Sequence, residues 1–268
     1  MRPRPGAVWF AFAPLLLLSG VCVPAALAAP ETVSEIDACV RANLPEATSR
    51  QSVVMRAKDR VGSVTETRAE VFWKKFDDDL SRALLRFSAP PDLQGAGLLV
   101  IEQEGRNDMF MYLPELRRVK RVTGRMVTGS MFGTDFTYEQ FERMQGMADD
   151  ASTQREPDAE VAGRPVYVLV HVPEAELGAP SERVVTYVDQ EKCVALKAEF
   201  YESGETLRRV LEVDPDRVLR SGVSWVPRRL VMKDVRDGTE TELEVEQIET
   251  DVDIPRRVFT QSALEQGH

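Results

Sequence analysis

The chain has 268 residues, 43% of them apolar, with 44 acidic against 34 basic side chains and a formal net charge of −10. That length supports one large domain or two small ones with a full core, and the acidic balance argues against general affinity for nucleic acid. Two histidines and three cysteines leave little material for a His-rich metal centre.

Arg2 and Arg4 precede an uncharged apolar run from Ala7 to Ala29 that ends in Ala26-Leu-Ala28. This order of positive, apolar and small residues predicts a secretory signal peptide over 1–28 and a mature domain over 29–268. A membrane anchor is the competing reading, but Pro14, Gly20 and Pro24 interrupt the run. A lipoprotein reading would use Cys22, which follows Val21 where a Gly or Ala is expected. Cleavage after Ala28 would remove both arginines, taking the charge from −10 to −12, and leave Cys39 and Cys193. An even pair in an oxidising compartment points to a disulfide, although sequence alone does not show that the two meet.

In the mature chain, Thr32 and Glu35 have capping-box spacing, and Val33, Ile36, Val40 and Leu44 fall on one face of a helix that stops before Pro45. From Ser52 the period changes to two. Val53, Met55 and Ala57 share one strand face, Arg60-Val-Gly-Ser reads as a turn, and Thr65, Thr67, Ala69, Val71 and Trp73 share a face of the next strand. The acidic triplet 77–79 lacks the spaced ligands of a calcium loop, so it reads as a solvated hairpin turn into Leu80 to Phe87.

The stretch 90–139 is the most informative. It reads Pro91-Asp-Leu-Gln-Gly95, then Asp108-Met-Phe-Met-Tyr-Leu-Pro-Glu115, a basic run from Arg117 to Arg121, and Gly133-Thr-Asp-Phe-Thr-Tyr-Glu139. Its two strands, Leu98 to Ile101 and Met109 to Leu113, show no polar face, so both sides must be covered. In this fixed order the segment resembles the outer-membrane lipoprotein-sorting proteins with a LolA-like fold. The resemblance implies an α+β, mainly β architecture: an incomplete antiparallel β-barrel, LolA/LolB-like, covered by helices around an apolar cavity. It also implies a periplasmic carrier that shields the acyl chains of a lipoprotein or lipid, working with an inner-membrane transporter or an outer-membrane acceptor, as a monomer and without a cofactor.

On that reading the cavity is lined by Val53, Met55, Val71, Trp73, Leu99, Ile101, Met109, Met111, Met131 and Phe136. The methionines, Met126 included, suit a pocket for acyl chains of varied shape, or are plain core. Arg117, Arg118, Lys120, Arg121 and Arg125 form a local positive field able to meet lipid phosphates, a bilayer or an acidic partner; a solvated turn paired with nearby acids is the bland alternative. In the Gly133, Thr134, Asp135 and Tyr138 loop motif, Gly133 frees the backbone, Thr134 or Asp135 can cap the Tyr138 helix and Phe136 can anchor the loop. The same loop can instead gate the cavity.

Beyond a polar stretch at 149–157 that reads as a loop, strands return. Val166, Val168, Val170 and Val172 oppose Tyr167, Leu169 and His171; Leu196, Ala198 and Phe200 oppose Lys197, Glu199 and Tyr201; further strands are expected at 207–213, 225–235 and 240–246. These predict one antiparallel meander in a single domain. Neither a Ser-His-Asp arrangement nor a nucleotide or zinc motif can be assembled, and paired carboxylates remain open simply because acids are abundant. An adaptor that uses the sheet only for docking is the alternative function, to be told from a carrier by a close-packed interior.

Overall fold

The computed structural model describes residues 30, 32–105, 107–148, 150–173, 183–202 and 204–266. The expected signal peptide over 1–28, with Cys22, lies outside the described residues, as do Arg106 and Asp149. Helix α1 (Val33–Arg41) has the predicted capping box: the Glu35 N–H donates to Thr32 Oγ1 at 3.2 Å and the Glu35 carboxylate accepts from the Thr32 N–H at 3.0 Å. Two orphan donors of the first turn are thereby satisfied. Leu44 falls past the last turn, so the apolar stripe overruns the helix.

The strands follow as β1 (Thr48–Lys58), β2 (Val64–Lys75), β3 (Ser81–Ala89), β4 (Gly97–Ile101), β5 (Asp108–Leu113) and β6 (Arg118–Arg121). A long connection carrying α2 (Tyr138–Met144) leads to β7 (Asp150–Val161), β8 (Arg164–Pro173), β9 (Arg183–Asp189), β10 (Ala195–Glu202) and β11 (Thr206–Val213). Then come β12 (Val218–Ser221), β13 (Ser224–Pro227), β14 (Arg229–Asp234), β15 (Thr239–Thr250) and α3 (Gln261–Gln266). Thirteen strands form one sheet in the order β6-β5-β4-β3-β2-β1-β15-β14-β11-β10-β9-β8-β7, while β12 and β13 make a separate hairpin. Two meanders meet where β1 pairs with β15, so that Val53 lies opposite both Ala69 and Val245.

The architecture is mainly β and antiparallel, as the sequence predicts, but two parts of the expectation need correction. The sheet does not close: β6 and β7 are its edges and do not pair with each other. Nor do helices cover the cavity, because the three among the described residues have 9, 7 and 6 residues, too short to roof thirteen strands. The stretch at 150–161 is likewise strand, not loop. It escaped notice because an edge strand with both faces in water shows no alternation, and its Pro157 sits where the ladder slips between Glu156 and Ala159. The expected strand at 225–235 is split between β13 and β14, which belong to different sheets.

The two faces of the first meander go to different cores. Ala83, Leu85, Leu98, Val100, Met109 and Met111 join the large cluster on the concave face, with Val53, Met55, Val71 and Trp73. Leu84 and Leu99 point the other way, against Ile254, Phe259 and Leu264 of the C-terminal segment, with Ile101, Phe110 and Tyr112 packed around them. Gly97 is needed there: a Cβ would come 2.7 Å from the Leu85 carbonyl oxygen and 3.0 Å from Leu264. A third, smaller cluster seats Ile36 of α1 on Tyr167, Leu169 and Val188.

Cys39 of α1 is disulfide-bonded to Cys193, 154 residues away, fastening the helix to the β9–β10 turn. Closing so long a loop restricts the unfolded chain, by about 5 kcal/mol in the chain-entropy account. The double variant Cys39→Ser/Cys193→Ser should therefore unfold at markedly lower urea than the oxidised parent. An unchanged midpoint would show that α1 contributes nothing through this bond.

Candidate functional site

The concave face encloses a cavity of about 820 Å³. Its walls come from strands far apart in the sheet: Val53 and Met55 on β1, Val71 and Trp73 on β2, Leu211 on β11, Phe200 on β10 and Leu169 on β8. One sheet can line a common space from so many strands only by curling round it. Leu230, Met232, Leu243 and Val245 complete the apolar lining from β14 and β15.

The connection between β6 and β7 bounds this space. Met131 and Phe136 line it and are buried. Asp135 ties the connection to the sheet: its carboxylate accepts from Thr239 and Thr241, the latter at 2.6 Å, and its N–H donates to Thr241 Oγ1 at 2.9 Å. Gly133 and Phe132 both have positive φ, and the Thr134 hydroxyl donates to the Met131 carbonyl at 2.7 Å, which makes the turn tight. Neither Thr134 nor Asp135 caps α2, contrary to expectation. Thr137 does so, accepting from the Gln140 N–H at 3.1 Å while Gln140 reaches back to it.

Exposed lining residues gather at one end. Ser34, Asp37 and Arg41 of α1 are exposed, and Asn43, Ser221 and Trp225 are half-buried. The mouth therefore lies where α1 and the β12–β13 hairpin converge. Asn43 joins them, donating to the carbonyls of Lys192 and Cys193 at 2.8 and 3.1 Å and accepting from the Trp225 N–H at 2.8 Å.

A polar patch interrupts the apolar wall. Arg143 of α2 holds Asp150 of β7 bidentately at 2.7 and 3.0 Å, and His171 Nδ1 lies 3.0 Å from Asp150 and 3.1 Å from Thr153 Oγ1. Burial alone would raise the Asp150 pKa, but the hydrogen bonds from His171 and Arg143 outweigh it and hold the carboxyl well below its ordinary range. Nearby Glu139 behaves oppositely. It is buried with one carboxylate oxygen unpartnered, and that burial, opposed by Arg143 and reinforced by Glu142 and Asp150, pushes it up to about 7.

Of the expected cavity residues, Val53, Met55, Val71, Trp73, Met131 and Phe136 are brought together on the wall. Met109 and Met111 lie on the same sheet face but under the β6–β7 connection, with the Tyr138 hydroxyl 3.6 Å from the Met111 sulfur. Leu99 and Ile101 are on the opposite face, against the C-terminal segment. Alternation alone could not assign them, since β4 is apolar on both faces. The walls from β10, β11, β14 and β15 were overlooked, although their period-two pattern had marked the buried side. Arg117, Arg118, Arg121 and Arg125 are exposed and Lys120 half-buried; of these Arg121 is ion-paired, with Asp108. The register of β1 to β6 places Arg117 and Arg118 at the strand ends away from α1 and the mouth.

The model of a protein family described as "Uncharacterized protein" matches residues 79–266, well over half of the chain. The chain belongs to that family. No curated protein matches it. Among solved structures it is similar to a domain described as an outer membrane lipoprotein-sorting protein from Vibrio parahaemolyticus, with 22% identity, 86% of this chain and 97% of that one covered, and a TM-score of 0.77. A DUF1329 family protein from Desulfovibrio piger gives 22% identity, coverage of 88% and 100%, and a TM-score of 0.78. A LolA superfamily protein from Nitrosomonas europaea gives 17%, coverage of 87% and 100%, and a TM-score of 0.70. The fold is LolA-like.

The raised Glu139 makes stability depend on pH within this LolA-like fold. The unfolded carboxyl ionises above about 4.5 while the folded one resists until about 7, so stability is lost as pH rises through that window and levels off above it. Glu139→Gln should gain on the parent by up to about 3 kcal/mol at about pH 8 and by little at about pH 4. Urea unfolding at both pH values measures this, and a difference independent of pH would assign the effect to packing.

Proposed function

We propose that this protein is a non-enzymatic periplasmic carrier that shields acyl chains of a lipid or lipoprotein during transfer between membranes, in company with a transporter or acceptor in one of them. The observation that carries the reading is the apolar cavity of about 820 Å³, within the size range of small-molecule sites. An adaptor that used the sheet only for docking would have side chains filling that space. Chain burial at about 0.8 kcal/mol per methylene gives useful affinity without specific polar chemistry. The neighbour described as a lipoprotein-sorting domain supports the same class of cargo. The disulfide fits an oxidising compartment. On this reading the basic edge, Arg117, Arg118, Lys120, Arg121 and Arg125, is the surface that meets an acidic protein partner, and Met131 and Phe136 touch the cargo.

Val71→Asp places an unpaired charge on the cavity wall at a cost of several kcal/mol, and bound fluorescent lipid should fall by tenfold or more, on the order of the 1.4 kcal/mol per decade of affinity. Ile101→Asp, on the other face, should instead loosen the C-terminal segment and lower stability while the protein that remains folded still takes up lipid. Equal loss of uptake in both would mean that the cavity is not the site.

Reversing Arg117, Arg118 and Arg121 to Glu should leave lipid uptake intact and slow delivery to membranes that contain the partner, most strongly at low salt. Transfer between labelled donor and acceptor membranes reads the rate. Wild-type delivery by this triple variant would remove the basic edge from the mechanism.

A further inference from the structure

The β12–β13 hairpin stands apart from the main sheet and ends in a turn through Gly222, whose φ is +60°. At its root Val218 is buried, as is Ser224 beside the turn, but Leu219 is 46% exposed and Val223 at the tip 70%. No core explains them. The register sets Leu219 opposite Val226 and Arg220 opposite Trp225, and both Val226 and Trp225 line the cavity. One hairpin thus offers apolar side chains to solvent on the rim of the mouth.

Its charge differs from that of the molecule. Residues 214–229 hold four arginines against Asp214 and Asp216 in a chain whose net charge is −10; Arg217 and Arg229 pair with Glu244 and Glu242 of β15, which leaves Arg220 as the cation on the hairpin itself. Asp214 is engaged locally, accepting from the Asp216 N–H and pairing with Arg229. Cations flank the Trp225 ring, Lys192 at 4.9 Å and Arg220 at 5.5 Å. Aliphatic tips, a half-buried Trp and adjacent Arg and Lys are the chemistry of a bilayer interface, where the ring sits at headgroup level and the cations meet lipid phosphate.

We propose that the β12–β13 hairpin is a membrane-docking finger: Leu219 and Val223 enter the interfacial layer of an anionic bilayer, Arg220 and Lys192 meet its phosphates, and the cavity mouth is thereby set against the lipid. The bilayer contact stands on the hairpin itself; its purpose rests on the carrier reading. Val61 and Val235, also exposed, lie in the turns at the other ends of β1 and β14, away from the mouth, and serve as an internal control.

The test is co-sedimentation of the oxidised, mature protein with vesicles of phosphatidylcholine alone or mixed with phosphatidylglycerol, beside uptake of a fluorescent long-chain fatty acid from solution. The parent should sediment with the anionic vesicles. Leu219→Ser/Val223→Asp should weaken that binding about tenfold or more, as expected for removing two buried aliphatic contacts. Arg220→Glu should weaken binding to the anionic vesicles only, and Val61→Asp/Val235→Asp should bind as the parent does. Fatty-acid uptake should persist in all, which also shows that the variants are folded. Parental vesicle binding by the hairpin variants, its loss in the Val61 and Val235 control instead, or no vesicle binding by the parent would overturn the proposal. Hairpin-dependent vesicle binding without fatty-acid uptake would keep the docking finger and overturn the carrier reading.

Discussion

The cavity depends on how one segment is held across the concave face. A curled open sheet offers apolar strand faces to water unless something spans them, and here the β6–β7 connection does so, fixed by Asp135 to Thr239 and Thr241 on β15. The tie joins the connection to the strand that links the two meanders. The Asp135 carboxylate accepts from both hydroxyls and the Asp135 backbone N–H donates to Thr241, so the tie leaves neither group of Asp135 unpaired. Met131 and Phe136 are placed on the wall as a consequence, and Met109 and Met111 are sealed beneath.

The sequence was most informative where one strand face is wet. Thr65 to Trp73 alternated cleanly, and Val71 and Trp73 lie on the cavity wall. Where both faces are buried, period two states only that faces differ, and Leu99 and Ile101 were assigned to the wrong one because their cover, around Phe259, is far away in sequence. Where both faces are wet, as in β7, alternation vanishes altogether. The helix at 33–41 was legible through Thr32 and Glu35, whose pairing is local. Closure of a barrel was not legible in the same way, since it depends on whether β6 and β7 meet, a contact between residues with no shared local pattern.

The polar patch on the wall sits at the junction of α2, β7 and β8. Arg143 and Asp150 are half-buried together, and removing either charge from water without the other would be unfavourable; paired bidentately, with His171 on the carboxylate and Thr153 on His171, they lock α2 to β7 and β8. Asn107 extends this junction, donating to Glu142 at 2.8 Å and to the Met147 carbonyl at 2.6 Å. The middle and the C-terminal end of the long connection are therefore secured by different chemistry: Thr hydroxyls on Asp135 at the first, an ionic network on Arg143 at the second.

An open sheet also leaves two strand edges, each a row of backbone groups able to recruit another chain. β6 is four residues long and carries Arg118, Lys120 and Arg121, so two such edges would repel each other. β7 is twelve residues long, but Pro157 lacks an N–H, the ladder slips twice, and Arg155, Glu156, Asp158 and Glu160 crowd its outer half. The molecule can thus keep a large apolar concavity open without offering a template for strand-by-strand polymerisation, and selection on these edge residues would be against self-association, independent of cargo.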